Sequence, residues 1–137
     1  MSKHHTLSAA WLKRAQAHVN ADPSFRKRGS VDLAMIVKVG RDAYLVSFSG
    51  FSCQKVAKVT AHEMRDTDVV VTMSPELWTR FLEGRRDGTG RTLIELDATD
   101  AVVSATNPRK KLDFQRYHTS VQAFFDAGVS ADTQAAA

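Results

Sequence analysis

The sequence predicts a single α/β (α+β) domain, and three observations predict it. The chain has 137 residues, about the length of one domain, which leaves no room for a second core. Apolar residues recur at helical spacing near both ends, whereas residues 31–73 mainly show the two-residue alternation of strands. Hydrophobic residues make up 43% and charged residues 25%, as in soluble globular proteins. We therefore expect a domain over residues 8–128, with flexible ends at 1–7 and 129–137.

The first predicted helix runs from about Ser8 to Ala21. Trp11, Ala15 and Val19 share one face of it, and Pro23 ends it. This helix should pack its apolar stripe against the rest of the domain.

Three segments that follow predict the first part of a sheet. Residues 31–39 and 44–48 alternate cleanly and flank a glycine-containing turn, which indicates an antiparallel hairpin. The segment Cys53–Val59 alternates less cleanly, because Lys55 and Lys58 would lie on opposite faces. That pattern is typical of a strand at the edge of a sheet.

An internal strand and a helix are predicted next to each other. Residues 69–73 are apolar on both faces apart from one threonine, as expected of a strand that is covered on both sides. Ser74 is a suitable N-cap, Pro75 a suitable first helical residue and Glu76 a first-turn acid. We expect Gly84 to end this helix.

The last third of the chain predicts one more strand and one long helix. Residues 92–96 indicate the strand, with residues 102–103 as a further strand or a bulged continuation. The basic residues 109–111 are unfavourable in a first helical turn, so the final helix should begin at Asp113 and end at Gly128. Its apolar face comprises Phe114, Tyr117, Val121, Phe124 and Phe125.

Signatures of catalysis and metal binding are scarce. The sequence has no nucleophile elbow, phosphate-binding loop or dinucleotide-binding motif. Its one cysteine, Cys53, excludes an internal disulfide and a cysteine-rich zinc site, and we expect this residue to be structural. His62 and Glu63 are adjacent and so point apart, and therefore we expect neither a metal site nor a cofactor.

The formal net charge is +4, and the basic residues concentrate in three clusters. These are Arg26–Arg28, Arg85–Arg86 and Arg109–Lys111. If they meet on one rim they would attract anionic lipid headgroups, which permits transient contact with a membrane surface. Nucleic-acid binding would also need exposed aromatic residues, and those here lie at core spacing, which argues against it. No segment is long and apolar enough to predict a membrane span, so we expect a cytoplasmic protein.

Large apolar side chains are numerous for one thin domain. The residues that we predict to bind a ligand are Met35, Tyr44, Phe48, Met73, Trp78, Phe81, Leu82, Phe124 and Phe125. Periodicity does not distinguish a solid core from a cavity that the same residues line, so both interpretations stay open.

The stretch DVVVTMSPELWTRFLEG, residues 68–84, resembles the sterol carrier protein type 2 (sterol-transfer) family. The order of predicted elements is also similar, so the resemblance covers residues 8 to about 105. It implies a five-stranded mixed, largely antiparallel sheet with helices packed on one side around an apolar cavity. It further implies binding of sterols, fatty acids or acyl-CoA, with Trp78, Phe81 and Leu82 in the helix that walls the cavity.

Three functional hypotheses follow. The leading one is non-catalytic binding and transfer of a hydrophobic ligand, with basic loops near the opening for acidic headgroups or CoA phosphates. The alternative is an enzyme or accessory subunit that acts on a hydrophobic substrate in the same cavity, with His118, Tyr117 and Asp113 as proton-transfer groups. The third is an interaction subunit, a homodimer included, that docks through the aromatic last helix.

Overall fold

The computed structural model describes residues 6–59 and 67–136, the last four of these by their backbone only. Its helices are α1 (Ala9–Ala21), α2 (Pro23–Lys27), α3 (Pro75–Asp87), α4 (Leu93–Asp100), α5 (Pro108–Arg116) and α6 (His118–Ala136). Its strands are β1 (Leu33–Val39), β2 (Asp42–Ser49), β3 (Ser52–Lys58), β4 (Val69–Met73) and β5 (Val103–Ala105). Within the described ranges, no helix combines the length and the apolar character that a bilayer crossing requires.

The five strands form one mixed sheet in the order β3-β2-β1-β4-β5. Strand β1 pairs antiparallel with β2 and parallel with β4, while β2–β3 and β4–β5 are antiparallel. The predicted fold class, an α+β domain with a mixed and largely antiparallel sheet, is confirmed. The sheet also has β3 at its edge and β4 in its interior, as the side-chain patterns predicted.

One face of the sheet carries the core. The β1 residues Leu33, Met35 and Val37 are all buried on this face, where they meet apolar side chains of the helices. Phe48 of β2 contacts Phe124 of α6 edge to face, with ring centroids 5.6 Å apart. The core is therefore a single apolar layer between the sheet and the helices.

The predicted strand at residues 92–96 is wrong, because this segment forms helix α4. Thr92 and Glu95 make a capping box: the Thr92 backbone N–H donates to Glu95 Oε1 at 2.9 Å, and the Glu95 N–H donates to Thr92 Oγ1 at 3.4 Å. These bonds satisfy free backbone donors at the helix start, and the apolar residues fit either periodicity. The fifth strand is formed by residues 103–105. It shares Val103 with the further strand that the sequence suggested at residues 102–103.

The single final helix predicted from Asp113 is also wrong, because two helices replace it. Helix α5 begins after Asn107, whose side chain accepts a hydrogen bond from the Lys110 backbone N–H at 3.0 Å. The basic first turn is tolerated because Lys111 Nζ donates to Asp97 Oδ2 at 2.5 Å and Lys110 Nζ lies 3.1 Å from Asp68 Oδ1. Paired in this way, the lysines place little net positive charge against the helix dipole.

Two glycines that should end helices lie inside them. Helix α3 continues past Gly84 to Asp87 and ends at Gly88, which has the left-handed φ of 73°. Gly84 instead packs against Gly90, since a Cβ on Gly84 would lie 2.7 Å from the Gly90 Cα. Helix α6 continues past Gly128, where a Cβ would lie 2.4 Å from the Trp11 ring. Both glycines therefore serve close packing.

The structure describes part of both terminal segments. Leu7 is buried in the core with 2% exposure, while residues 1–5 lie outside the described ranges. Residues 129–136 continue α6, and Asp132 Oδ1 accepts a hydrogen bond from Arg14 Nη2 at 2.9 Å. Two residues of the first basic cluster, Arg26 and Lys27, lie in the short helix α2.

Candidate ligand-binding site

The nine residues predicted to bind a ligand come together in the apolar layer. Eight of them are buried in one cluster, and Tyr44 is half-buried against it. Trp78 is at the centre of the rings, with centroids 6.1 Å from Phe81 and 5.9 Å from Phe125. We call the ring set Trp11, Phe48, Trp78, Phe81, Phe124 and Phe125 the aromatic cluster. Their role as ligand-binding residues stays a prediction.

Edge-to-face contacts hold the aromatic cluster together. Phe125 lies 5.8 Å from Phe81 and 5.5 Å from Phe124, with planes inclined at about 80° in both pairs. The ring contacts run without a break from Phe48 on the sheet, through Phe124 and Phe125 on α6, to Phe81 on α3. A ligand that enters this layer must therefore displace at least one ring.

Two buried donors in the aromatic cluster lack a partner. Trp11 and Trp78 lie 5.3 Å apart at 74°, and neither indole Nε1 has a hydrogen-bond acceptor among the residues that the structure describes. A buried donor without an acceptor lowers the stability of the fold by roughly 1–3 kcal/mol. Two such donors in one cluster are therefore unusual. The sequence analysis placed Trp11 only on an apolar helix face. A tryptophan at a core position also carries an N–H donor, and this was the available sign of a functional residue.

A cavity of about 140 Å³ lies between α3 and α4. Its apolar wall comprises Leu77, Phe81 and Leu96, and Arg80 and Arg91 line it as well. Both arginines are exposed, and Arg91 Nη2 lies 3.5 Å from Asp100 Oδ2. Since Phe81 also belongs to the aromatic cluster, this cavity adjoins that cluster through one ring.

A second cavity, of about 200 Å³, lies between α4 and α6, and its lining residues include His118, Gln122 and Asp126. Gln122 Oε1 accepts a hydrogen bond from the Leu93 backbone N–H at 2.6 Å, and Gln122 Nε2 donates to Asp126 Oδ1 at 2.9 Å. Arg85 donates to both carboxylate oxygens of Asp126, at 2.9 and 3.0 Å. The Asp126 carboxylate raises the pKa of the Arg85 guanidinium. These bonds fix α3, α4 and α6 to one another, and sequence reasoning did not find this network.

The three residues proposed for the enzyme alternative are not gathered at one cavity wall. His118 lines the 200 Å³ cavity together with Arg28, whereas Tyr117 and Asp113 are not among its lining residues. Tyr117 is the C-cap of α5, where its backbone N–H donates to the Asp113 carbonyl at 3.0 Å. Of the three predicted residues, His118 is therefore the one that lines this cavity.

Two of the three basic clusters lie at the 200 Å³ cavity. Arg28 of the first cluster lines the 200 Å³ cavity, and Arg85 of the second binds Asp126 beside it. In the third cluster, Lys110 and Lys111 pair with acidic side chains where α5 packs on β4 and β5. Part of the basic charge therefore has a structural role.

Cys53 is buried, with 2% exposure. Burial raises the pKa of its thiol to about 12, so it is protonated and a poor nucleophile at neutral pH. Its backbone is held by α1, since Asn20 Nδ2 and Gln16 Nε2 both donate to the Cys53 carbonyl at 3.0 Å. His62 and Glu63, predicted not to bind metal, lie outside the described residues.

Neither the protein-family models nor the curated proteins match this sequence. Solved structures do match it. The crystal structure of sterol carrier protein 2 superposes with a TM-score of 0.64 at 15% identity, covering 88% of this chain and 95% of that chain. A solution structure of the Thermus thermophilus protein TT1886, described as possibly sterol carrier protein, gives 0.62 at 15% identity, with 96% and 92% covered.

A third structure, described as UbiJ-SCP2 ubiquinone synthesis protein, gives a TM-score of 0.50 at 15% identity, with 91% and 90% covered. The matches extend over nearly the whole chain and over whole neighbours. At this level of identity they define the fold. The chain has the sterol carrier protein 2 fold, which the motif at residues 68–84 predicted.

Proposed function

We propose that this protein binds a hydrophobic molecule, a sterol, fatty acid or acyl-CoA, between its sheet and helices and releases it without catalysis. The observation that carries this proposal is the contact between the 140 Å³ cavity and the aromatic cluster through Phe81. Neighbours named as sterol carriers support the proposal. The buried apolar layer supplies a suitable environment for such a guest.

Entry of a ligand requires the α3–α4 cavity to enlarge. A volume of about 140 Å³ is below the roughly 300–1,000 Å³ of ordinary ligand sites. Rotation of Phe81 would join the cavity to the space around Trp78. Burial of on the order of 400 Å² of apolar ligand surface contributes roughly 10 kcal/mol to the binding free energy. The costs of association and of ring displacement offset several kcal/mol of this gain. Micromolar affinity is the expected result, which suits a reversible carrier.

The charged end of an amphiphile would stay at the cavity entrance. Arg80 and Arg91 are exposed there, so a carboxylate or a CoA phosphate can pair with them and remain hydrated. A sterol has no such group. The two arginines should therefore matter for fatty acids and acyl-CoA more than for sterols.

The test is displacement of a fluorescent fatty acid and a fluorescent sterol, together with native mass spectrometry of the purified protein. Leu77→Trp fills the α3–α4 cavity, and Leu112→Trp is its matched control because Leu112 is 63% exposed on α5. We expect binding to weaken at least about tenfold in the first variant and to stay unchanged in the second. A protein that ignores every sterol and acyl probe contradicts the proposal.

Charge reversal tests the entrance separately. Arg80→Glu with Arg91→Glu should weaken fatty-acid binding by about three- to tenfold and leave sterol binding unchanged. Arg109→Glu, at an exposed position of α5, is the control. Equal loss in the control would assign the effect to overall charge.

Release to a membrane would use transient contact with its surface. Arg26, Lys27 and Arg28 are exposed, and an anionic bilayer attracts each such charge. We expect transfer from vesicles that contain phosphatidylserine to slow as salt is added, and transfer from neutral vesicles to show little salt dependence. Light scattering during the same experiments gives the oligomeric state.

One observation favours the second candidate, an enzyme or accessory subunit for a hydrophobic substrate. His118 lines the 200 Å³ cavity, and a neighbour of the same fold is named as a ubiquinone synthesis protein. The test is incubation with acyl-CoA and steroid esters and mass analysis of the products. Turnover lost in His118→Ala and kept in Tyr117→Phe would support it, and the absence of product from every probe contradicts it.

A further inference from the structure

The two tryptophans of the chain place their indole rings in the same part of the core. Trp78 is fully buried and Trp11 is 4% exposed, so water does not solvate their N–H groups. Neither Nε1 has an acceptor among the described residues. Buried tryptophan N–H groups usually have a hydrogen-bond acceptor, and residues 6–59 and 67–136 supply none to either of these two.

Ring contacts do not replace the missing acceptors. The two indoles meet edge to face at 74°, a geometry in which one N–H at most can point to the other ring. Such N–H···π contacts are weaker than N–H···O hydrogen bonds. An oxygen brought into this space would therefore gain a stronger bond than the rings supply.

We infer that the bound ligand is a neutral lipid whose carbonyl oxygen accepts a hydrogen bond from Trp11 or Trp78. This inference rests on the proposed function, the binding of a hydrophobic molecule between sheet and helices, and it adds neutral carbonyl lipids to the ligand classes named there. A carbonyl oxygen has two lone pairs and carries no charge, so it can enter an apolar layer with one hydrogen bond or two. Ketones, esters and quinones have this group, whereas pure hydrocarbons do not.

The charge distribution favours a neutral acceptor over a carboxylate. The buried polar residues of the described chain are Thr67, Thr79, Ser120 and Gln122, and none of them carries a charge. An ionised carboxylate beside the indoles would lack a buried cation, and an unpaired buried charge is strongly unfavourable. The nearest fit for a carboxylate is the entrance with Arg80 and Arg91.

The path to the indoles follows the ring contacts already described. Phe81 lines the α3–α4 cavity and lies 6.1 Å from Trp78, which in turn lies 5.3 Å from Trp11. Neither tryptophan lines that cavity, so a guest would have to displace the Phe81 ring to approach Trp78. The oxygen of the ligand thus binds at the inner end of this path.

The experiment compares three probes of equal chain length: 2-tridecanone, tridecane and tridecanoate. Binding is measured by displacement of a fluorescent lipid, and the two indole N–H signals are followed by ¹⁵N–¹H NMR in the unmodified protein. Trp11→Phe assigns the two signals, and incorporation of β-(3-benzothienyl)alanine at both positions removes the N–H groups while the ring shape is kept.

We expect 2-tridecanone to bind about tenfold more tightly than tridecane. At least one indole proton signal should move downfield with the ketone, and the affinity difference should vanish in the benzothienyl protein. Equal affinity for ketone and hydrocarbon with unmoved indole signals overturns this inference and leaves the proposed function intact. Binding of none of the three probes, nor of any sterol or acyl-CoA, contradicts the proposed function itself. Preference for tridecanoate with unmoved indole signals overturns the inference in favour of recognition at the arginines.

Discussion

The cavities on the two sides of α4 differ in how their walls are held. At the α4–α6 cavity, Gln122 of α6 forms hydrogen bonds to Leu93 of α4 and to Asp126, and Arg85 of α3 donates to Asp126, all at 2.6–3.0 Å. Between α3 and α4, the apolar part of the wall is Leu77, Phe81 and Leu96, which make non-directional contacts, and the exposed Arg80 and Arg91 form part of the rest. Hydrogen bonds to charged groups fix geometry, whereas apolar contacts can be exchanged for those of a guest. The α3–α4 side is therefore the one suited to open.

The aromatic cluster borders the α3–α4 side of this comparison, and its loss should have the largest effect. Phe125→Ala removes a fully buried ring that contacts Trp78, Phe81 and Phe124. We expect the free energy of unfolding to fall by about 3–5 kcal/mol in urea denaturation. Phe51→Ala is the control, because Phe51 is 54% exposed, and its effect should be near zero. Similar losses in both variants would show that the cluster does not dominate stability.

The hydrogen-bonded side can be broken at Gln122. Gln122→Leu leaves the buried Leu93 N–H without its acceptor and removes a donor to Asp126. We expect a loss of roughly 1–3 kcal/mol in the free energy of unfolding. Ligand affinity should change less than in Leu77→Trp. The control is Gln115→Leu on the exposed side of α5, and a loss of the same size there would contradict the role of the network.

The apolar side can be broken at the contact between Gly84 and Gly90. A helical Gly→Ala change usually stabilises by up to about 1 kcal/mol, but here the new Cβ would lie 2.7 Å from the Gly90 Cα. We therefore expect Gly84→Ala to destabilise by roughly 1–2 kcal/mol and to alter ligand affinity, because the α3–α4 loop must move. Thr89→Ala, in the same loop, is the control. If Gly84→Ala is more stable than the unmodified protein, the loop that contains Gly90 moves aside at little cost in free energy, and the prediction is wrong.

The smallest effect at neutral pH is expected at Cys53, far along the sheet from the α3–α4 side. Its folded-state pKa, about 12, is raised above the ordinary value of 9.0, so the protonated thiol favours the folded state. This contribution is fully present below about pH 9 and is lost as the pH rises toward 12. Cys53→Ala should therefore flatten the alkaline fall in stability, measured by denaturation at several pH values.

The same thiol reports where the protein opens. Because Cys53 is buried between β3 and α1, its reaction with a disulfide reagent at pH 8 should require local unfolding of that region. If ligands enter between α3 and α4, saturation with ligand should not accelerate the reaction. Acceleration by ligand would place the opening at the α1–β3 side instead.

The sheet was predictable because its residues obey one local rule. Alternation identified β1 and β2, and two lysines on opposite faces identified the edge strand β3. The motif at residues 68–84 predicted β4, the start of α3 and the fold. Errors occur where two local signals compete. At α4 the apolar pattern suits both element types, and the capping box of Thr92 and Glu95 decides in favour of the helix.

Other features depend on contacts that are distant in sequence. The first turn of α5 is basic, and only Asp97 and Asp68 from other elements explain why it forms. Gly128 resembles a helix end until the Trp11 ring is placed against it. Within the candidate site, the sequence predicted which side chains are buried. It did not predict their order of contact or the unmatched indole donors, because neither follows from periodicity.

The two margins of the sheet also affect how this protein behaves when it is crowded. An exposed strand edge is a template for aggregation and fibre growth. One margin, β3, carries Lys55 and Lys58 and a bulge opposite Ser47 and Phe48, which together disfavour a flat docking surface. The other margin, β5, is three residues long and lies beside α5. Both edges of the sheet therefore disfavour pairing with a strand of another molecule, and this should protect the protein from polymerisation.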